Sequence, residues 1–366
     1  AVKVAENDVM VIYQDSIQRA GSPLSDGLAQ SLLNFYESYG PQVIDTYFGG
    51  ITDLNNDGKV TMFVTPEVES GVAAFVWLGD FYSRSVCQAS NEMEMMRFSL
   101  AVIQAMNSTP PNYQALGTSV HEVKHISSLY KSIRRDSLQN PSDGYQPLWI
   151  EEGTAEIAKE TASRIAWAAT GGPAVGSMAR ASDVPVFSRE NYGAILPVAG
   201  TALYLSSQPN GVVVTPTGAS EDHSVYGSGW HFHRWLGDAY GNASQPLGDS
   251  AFFRTLNDSL TAAGVSGILE VTGAPSWTHL MTEYLLAVMT SGTAAPAVPK
   301  RFTSYDFPSI TGIFSFPNPP GDYPWPVNDI QVGNGITQTA PFASVANLGP
   351  VGPSGVRIFD LISNGT

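Results

Sequence analysis

Two histidines four residues apart with a glutamate beside the first, His121-Glu122-Val123-Lys124-His125, form an H-E-x-x-H pattern. Leu116, Val120, Val123 and Tyr130 recur around them at helical intervals, so the spacing predicts a helix over 113–131. Four residues make about one turn, which projects both imidazoles from one face toward a common ion. Such a pair suits zinc, and Glu122 stands beside it as a base for a water proton. A catalytic zinc takes three protein ligands and keeps one position open. The chain has a single cysteine, Cys87, which excludes a multi-cysteine cluster and leaves histidine or carboxylate for the third place. Ser128 and Lys131 occupy the positions where a metzincin carries glycine and histidine, and that class is excluded.

The third ligand is expected from Trp149-Ile150-Glu151-Glu152-Gly153-Thr154-Ala155-Glu156. This segment opens a second helix, expected over 148–169, after a polar connection long enough to return it to the first. Glu152 and Glu156 lie one turn apart on one face. Glu152 can ligate the ion, and Glu156 can accept a hydrogen bond from a ligand histidine and fix its tautomer. Glu151 reads as an acidic residue of the first turn, where the helix dipole stabilises negative charge.

His121-Glu122-x-x-His125 followed by Glu152-Gly153-x-x-Glu156 resembles the gluzincin metallopeptidases, which include the thermolysin-like and aminopeptidase-like enzymes. More narrowly it is similar to the secreted bacterial hyicolysin-like peptidases. Two further segments carry the likeness: a glycine-turn hairpin from Phe48 to Pro66 around Asp53-Leu54-Asn55-Asn56-Asp57-Gly58, and Ala89-Ser90-Asn91-Glu92-Met93-Glu94. The resemblance implies an α+β, thermolysin-like catalytic domain with Zn2+ on His121, His125 and Glu152. It makes Glu122 the general base, and protein or peptide chains the substrate. Glu156 stands where the superfamily often has aspartate. For the oxyanion donor two sources are open. Tyr226-Gly227-Ser228-Gly229 is similar to the Tyr-x-x-Gly of aminopeptidase-like members, whereas the thermolysin-like branch uses a histidine, here His223, His231 or His233. His231 and His233, two residues apart, face different directions on a helix and read as packing residues. An extended substrate is expected to pair with an edge strand at 73–77, touching Ala74 and Phe75.

The elements that must position these groups follow from periodicity and turn residues. A helix is expected over 24–39, ended by Gly40-Pro41. Strands are expected at 43–48, 60–64 and 73–78, and a helix at 91–106. Further helices are expected near 192–206, 226–240, 249–263 and 276–290. The proline-rich stretch 301–366 reads as a loop and β appendage with a strand at 355–362. The organisation is then an N-terminal catalytic subdomain (1–165), a helical subdomain completing the cleft (166–300) and that appendage. Asp53-x-Asn55-x-Asp57-Gly58 copies the first half of a calcium loop, but the twelfth position is Val64 instead of glutamate. A turn is favoured there, with a Ca2+ site as the alternative.

Composition sets the outer bounds. Hydrophobic residues make up 43%, enough for a core. The 33 acidic against 18 basic side chains give a net charge of −15, which argues against nucleic acid or an anionic membrane surface as partner. No apolar run approaches the ~18 residues of a membrane span. With six lysines and one cysteine, the acidic chain reads as an exported, disulfide-free hydrolase once the resemblance to secreted enzymes is added. Two rival functions remain. An aminopeptidase would call on Glu92 or Glu94 to hold a free amine, and a noncatalytic surface or adhesion protein would keep only the fold.

Overall fold

Short apolar runs with turn residues at their ends build the sheet, and long amphipathic runs build the helices that cover it. In this computed structural model the residues described are 1–106, 113–138, 146–180, 223–242, 245–258, 262–291, 298–307, 309, 315–317 and 320–322. Strands β1 (Val2–Glu6) and β2 (Met10–Gln14) lead through α1 (Ser16–Gly21) into the long helix α2 (Asp26–Phe48). Then come β3 (Val60–Val64), β4 (Ala74–Val76), a single 3-10 turn at Leu78–Phe81, and β5 (Met95–Phe98). Helices α3 (Leu100–Met106), α4 (Tyr113–Leu138) and α5 (Leu148–Ala169) follow. They precede α6 (His223–Tyr240), α7 (Ser250–Asp258), α8 (Gly264–Thr272), α9 (Trp277–Thr290) and a small hairpin, β6 (Ser315–Pro317) and β7 (Pro320–Asp322). The fold is mixed α and β, as expected. The helix expected near 192–206 and the strand at 355–362 lie outside the described residues.

The main sheet runs β1-β2-β3-β5-β4. β2, β3 and β5 are parallel, and β1 and β4 pair antiparallel at the two edges. One face of the parallel centre carries Met10, Ile12, Val60, Met62, Val64, Met96 and Phe98, all in the hydrophobic core beneath the helices. The alternate positions Thr61, Phe63, Met95 and Arg97 line a cavity on the opposite face. No helix of the described residues is long and apolar enough to cross a membrane.

Three expected elements differ. The helix does not stop at Gly40-Pro41 but runs on to Phe48, taking in the segment expected as a strand at 43–48. Proline clashes with the Cβ of the residue before it in a helix, and here that residue is glycine, so the clash is relieved. Burial then decides the matter: Val43, Ile44, Tyr47 and Phe48 enter the core on the same side as Leu32 and Phe35. Consequently residues 48–66 are no hairpin. They form a helix-to-strand connection, and β3 takes parallel partners instead. The expected helix at 91–106 splits into β5 and α3, because Met95–Phe98 pairs with both β3 and β4.

The site helices sit at the centre of this arrangement. From Leu116 to Ser128 every residue of α4 is buried, as is most of α5. The expected subdomain boundary at 165/166 falls inside α5, which packs against both α4 and α6. Gly153 of α5 makes the second crossing possible. A Cβ there would lie 2.5 Å from His233 Nδ1 and 2.9 Å from the Gly229 carbonyl, so α6 approaches the backbone directly after Glu152. Beyond it Trp230, Phe232 and Trp235 of α6 join Trp149, Tyr284, Phe302 and Phe307 in one aromatic core. The start of the 301–366 segment is therefore packed into the helical layer.

Candidate metal centre

Helix α4 presents His121 and His125 one turn apart, as their spacing requires, and the first turns of α5 bring Glu152 against them. His121 Nε2 lies 3.1 Å from His125 Nε2 and 3.1 Å from Glu152 Oε2. The third side, His125 Nε2 to Glu152 Oε2, is 3.6 Å. A tetrahedral zinc with bonds of ~2.0–2.1 Å separates its ligand atoms by about 3.3–3.4 Å, so this triangle has the size of one face of that tetrahedron. Two imidazole nitrogens and a carboxylate oxygen are also the donor types that suit zinc. Among the described residues this is the one group in which three such side chains offer atoms all within 4.8 Å of one another.

The outer atoms of both imidazoles face carboxylates. His121 Nδ1 is 3.1 Å from Glu156 Oε1, at an angle short of a well-aligned hydrogen bond. Lys159 Nζ donates to the same oxygen at 3.3 Å. His125 Nδ1 is 3.4 Å from Glu151 Oε2. Its first-turn position accounts for Glu151 by the helix dipole alone, but the residue is buried and heavily engaged. Its Oε2 accepts from Lys124 Nζ at 2.6 Å and from Ser128 Oγ at 2.6 Å. The signal was present in α4: Lys124 and Ser128 lie one turn apart beside the histidine pair, a cation and a hydroxyl in search of a buried anion.

These proximities set the charges. Burial opposes ionisation of Glu151, but Lys124 and His125 outweigh it and hold the carboxyl down at about 2. Glu152 is also held well below the usual carboxylate range, burial being overcome by His125 and His121. Burial alone would lower both histidines. Glu152 and Glu156 hold His121 above its ordinary value, and Glu152 with Glu151 pushes His125 up to about 10. Glu122 behaves in the opposite way to Glu152. Burial pushes its carboxyl up, and its Oε2 is a buried oxygen with no hydrogen-bond partner. An elevated carboxyl without a fixed partner is suited to taking up and releasing a proton.

A cavity of about 400 Å³ opens onto this group. His121, Glu122, His125, Glu151, Glu152 and Glu156 form its floor, and Gly71 through Val76 form a wall that includes the edge strand β4 with Ala74 and Phe75. Tyr226, in the first turn of α6, lines the same cavity. His223 starts that helix, and its side chain is outside the described residues. His231 and His233 are both fully buried away from it. His231 Nδ1 lies 2.7 Å from the Tyr284 hydroxyl, and His233 Nδ1 lies 2.7 Å from the Gly229 carbonyl. They pack, as their spacing suggested. Glu92 and Glu94 are not among the residues lining the cavity.

No family model matches the chain, and no curated protein matches it either. The site rests on its own geometry.

Proposed function

We propose that the chain is a zinc-dependent endopeptidase with a gluzincin-type, thermolysin-like centre. The observation that carries this reading is the His121–His125–Glu152 triangle, with Glu122 buried at its side in a cavity walled by a strand edge. Zinc, when bound there, supplies the Lewis acidity that polarises a scissile carbonyl and makes a water nucleophilic near neutral pH. Glu122 accepts the proton of that water as attack proceeds and returns it to the leaving amine. Glu156 and Glu151 orient the two imidazoles from behind, so that Nε2 of each points into the cavity. The Tyr226 hydroxyl donates to the oxygen that gains negative charge.

The substrate is an extended polypeptide. β4 ends the sheet: it pairs with β5 on one side, and its other edge borders the cavity. A peptide backbone laid along that edge extends the sheet by one strand, with Ala74 and Phe75 as its partners. The exopeptidase reading needs an acidic group to hold a free amine, and the two residues it called on, Glu92 and Glu94, lie elsewhere. A quenched peptide with an acetylated N-terminus and amidated C-terminus tests the proposal. The expected outcome is internal cleavage that a zinc chelator stops and added zinc restores. Cleavage only of peptides with a free N-terminus would favour an aminopeptidase, and no zinc-dependent cleavage at all would favour a noncatalytic role.

A further inference from the structure

The connection between α2 and β3 contains the pattern Asp53-x-Asn55-x-Asp57-Gly58-Lys59, whose weakness as a calcium loop was the valine at its twelfth position. The fold supplies from elsewhere what Val64 lacks. Glu94, immediately before β5, reaches beneath the loop and is 1% exposed. Its Oε1 accepts the main-chain N–H of Leu54, the second residue of the loop, which ties the carboxylate to the turn. Its other oxygen, Oε2, is buried with no hydrogen-bond partner. A buried carboxylate oxygen left in this way is costly unless a cation or a proton meets it.

The loop itself is wound for the same purpose. Asp53 Oδ1 accepts from Asp57 N at 3.0 Å, and Asp53 Oδ2 from Gly58 N at 3.2 Å. Asp57 Oδ1 accepts from Lys59 N at 2.8 Å. Asn56 and Gly58 have φ of 59° and 71°, which closes the turn, and within it Asn55 Nδ2 donates to Asp57 Oδ2 at 2.9 Å. The charge is not neutralised from within the protein. Lys59 sends its ammonium to Glu6, 3.3 Å away, and among the described residues none of Asp53, Asp57 and Glu94 forms an ion pair.

We propose that Asp53, Asn55, Asp57 and Glu94 form a calcium site distinct from the zinc centre, with Glu94 replacing the missing last ligand of the loop. The three carboxylates do not yet offer oxygens all within 4.8 Å of one another, so binding draws the exposed Asp53 and Asp57 side chains in toward Glu94. An all-oxygen set with three negative charges selects calcium over zinc. Its occupation ties the end of α2 and the start of β3 to β5. The same connection begins at Phe48 and Gly50, whose carbonyls accept from Ser127 Oγ at 3.0 Å and 2.7 Å. Ser127 is on the zinc-site helix, so calcium stiffens a segment anchored two residues beyond His125.

Equilibrium dialysis of the full chain against radioactive calcium, with zinc present throughout, tests the assignment. Wild type is expected to bind one calcium per chain, with dissociation constant below about 1 mM, the weak end for extracellular modules. Glu94→Gln keeps an acceptor for Leu54 and removes the charge, and Asp57→Asn changes an exposed loop residue that does not endanger folding. Each is expected to weaken calcium at least about tenfold, while Glu152→Gln binds it as wild type does. No binding by wild type overturns the site, as does equal binding by wild type and Asp57→Asn. Weakening in Asp57→Asn with none in a folded Glu94→Gln overturns the role of Glu94.

Discussion

At the scale of single residues the candidate metal ligands were legible because their spacings are local. His121, Glu122 and His125 are related by one helical turn, as are Glu152 and Glu156, and each spacing reads directly from the chain. The spacing of Lys124 and Ser128 on α4 signals a buried anion, but which carboxylate meets them is set by the packing of α5 on α4, and it is Glu151. Its role behind His125 has a consequence. Glu151→Gln is expected to weaken zinc by about 10–100-fold in a chelator competition, and unchanged affinity would leave Glu151 a structural anchor for Lys124 alone. Tyr226→Phe is expected to lower the cleavage rate by about 10²-fold with zinc content unchanged. An unaltered rate would transfer the oxyanion role to another donor, with His223 the remaining candidate from the sequence.

Among the elements, helices α4 and α5 and the edge strand followed from periodicity, whereas the second half of α2 and β5 did not. Gly40-Pro41 carries a stop signal that burial of Val43, Ile44, Tyr47 and Phe48 overrides, and β5 carries an apolar run whose period does not separate strand from helix. What the pattern could not give was which elements touch. The crossing of α5 and α6 at Gly153 and Gly229 is the clearest case, since it brings Tyr226 to the cavity that His121, His125 and Glu152 line. Gly153→Ala forces a Cβ to 2.5 Å from His233 Nδ1, with backbone close behind. It is expected to cost about 1–3 kcal/mol of stability in urea unfolding and to lower activity through the displaced α6. An unchanged midpoint would mean that the two helices separate without penalty, contrary to the packing described.

At the scale of the whole molecule, two buried histidines that do not line the cavity add a pH response of their own. Burial pushes His231 down to about 3 and His233 to about 4, against an ordinary value of ~6.5. Below ~6.5 the unfolded chain takes up protons at these positions and the native chain does not, so the contribution of these two neutral histidines is full above that pH. It declines as pH falls toward 3–4, by up to ~1.4 kcal/mol per pH unit for each histidine. Urea midpoints are accordingly expected to fall less steeply from pH 7 to pH 5 in His231→Leu than in wild type, and equal slopes would contradict the buried neutral state. The same compact core that keeps these histidines uncharged holds the middle of α4 against the first turns of α5, and so holds the His121–His125–Glu152 triangle. The central claim concerns what that triangle does with Glu122. Zinc content and cleavage of a blocked peptide, measured on wild type and Glu122→Gln side by side, test it most directly. One zinc per chain in both proteins, with the rate of the variant lower by about 10²–10⁴-fold, is the predicted result. Equal cleavage by the two proteins, both zinc-loaded, would contradict it.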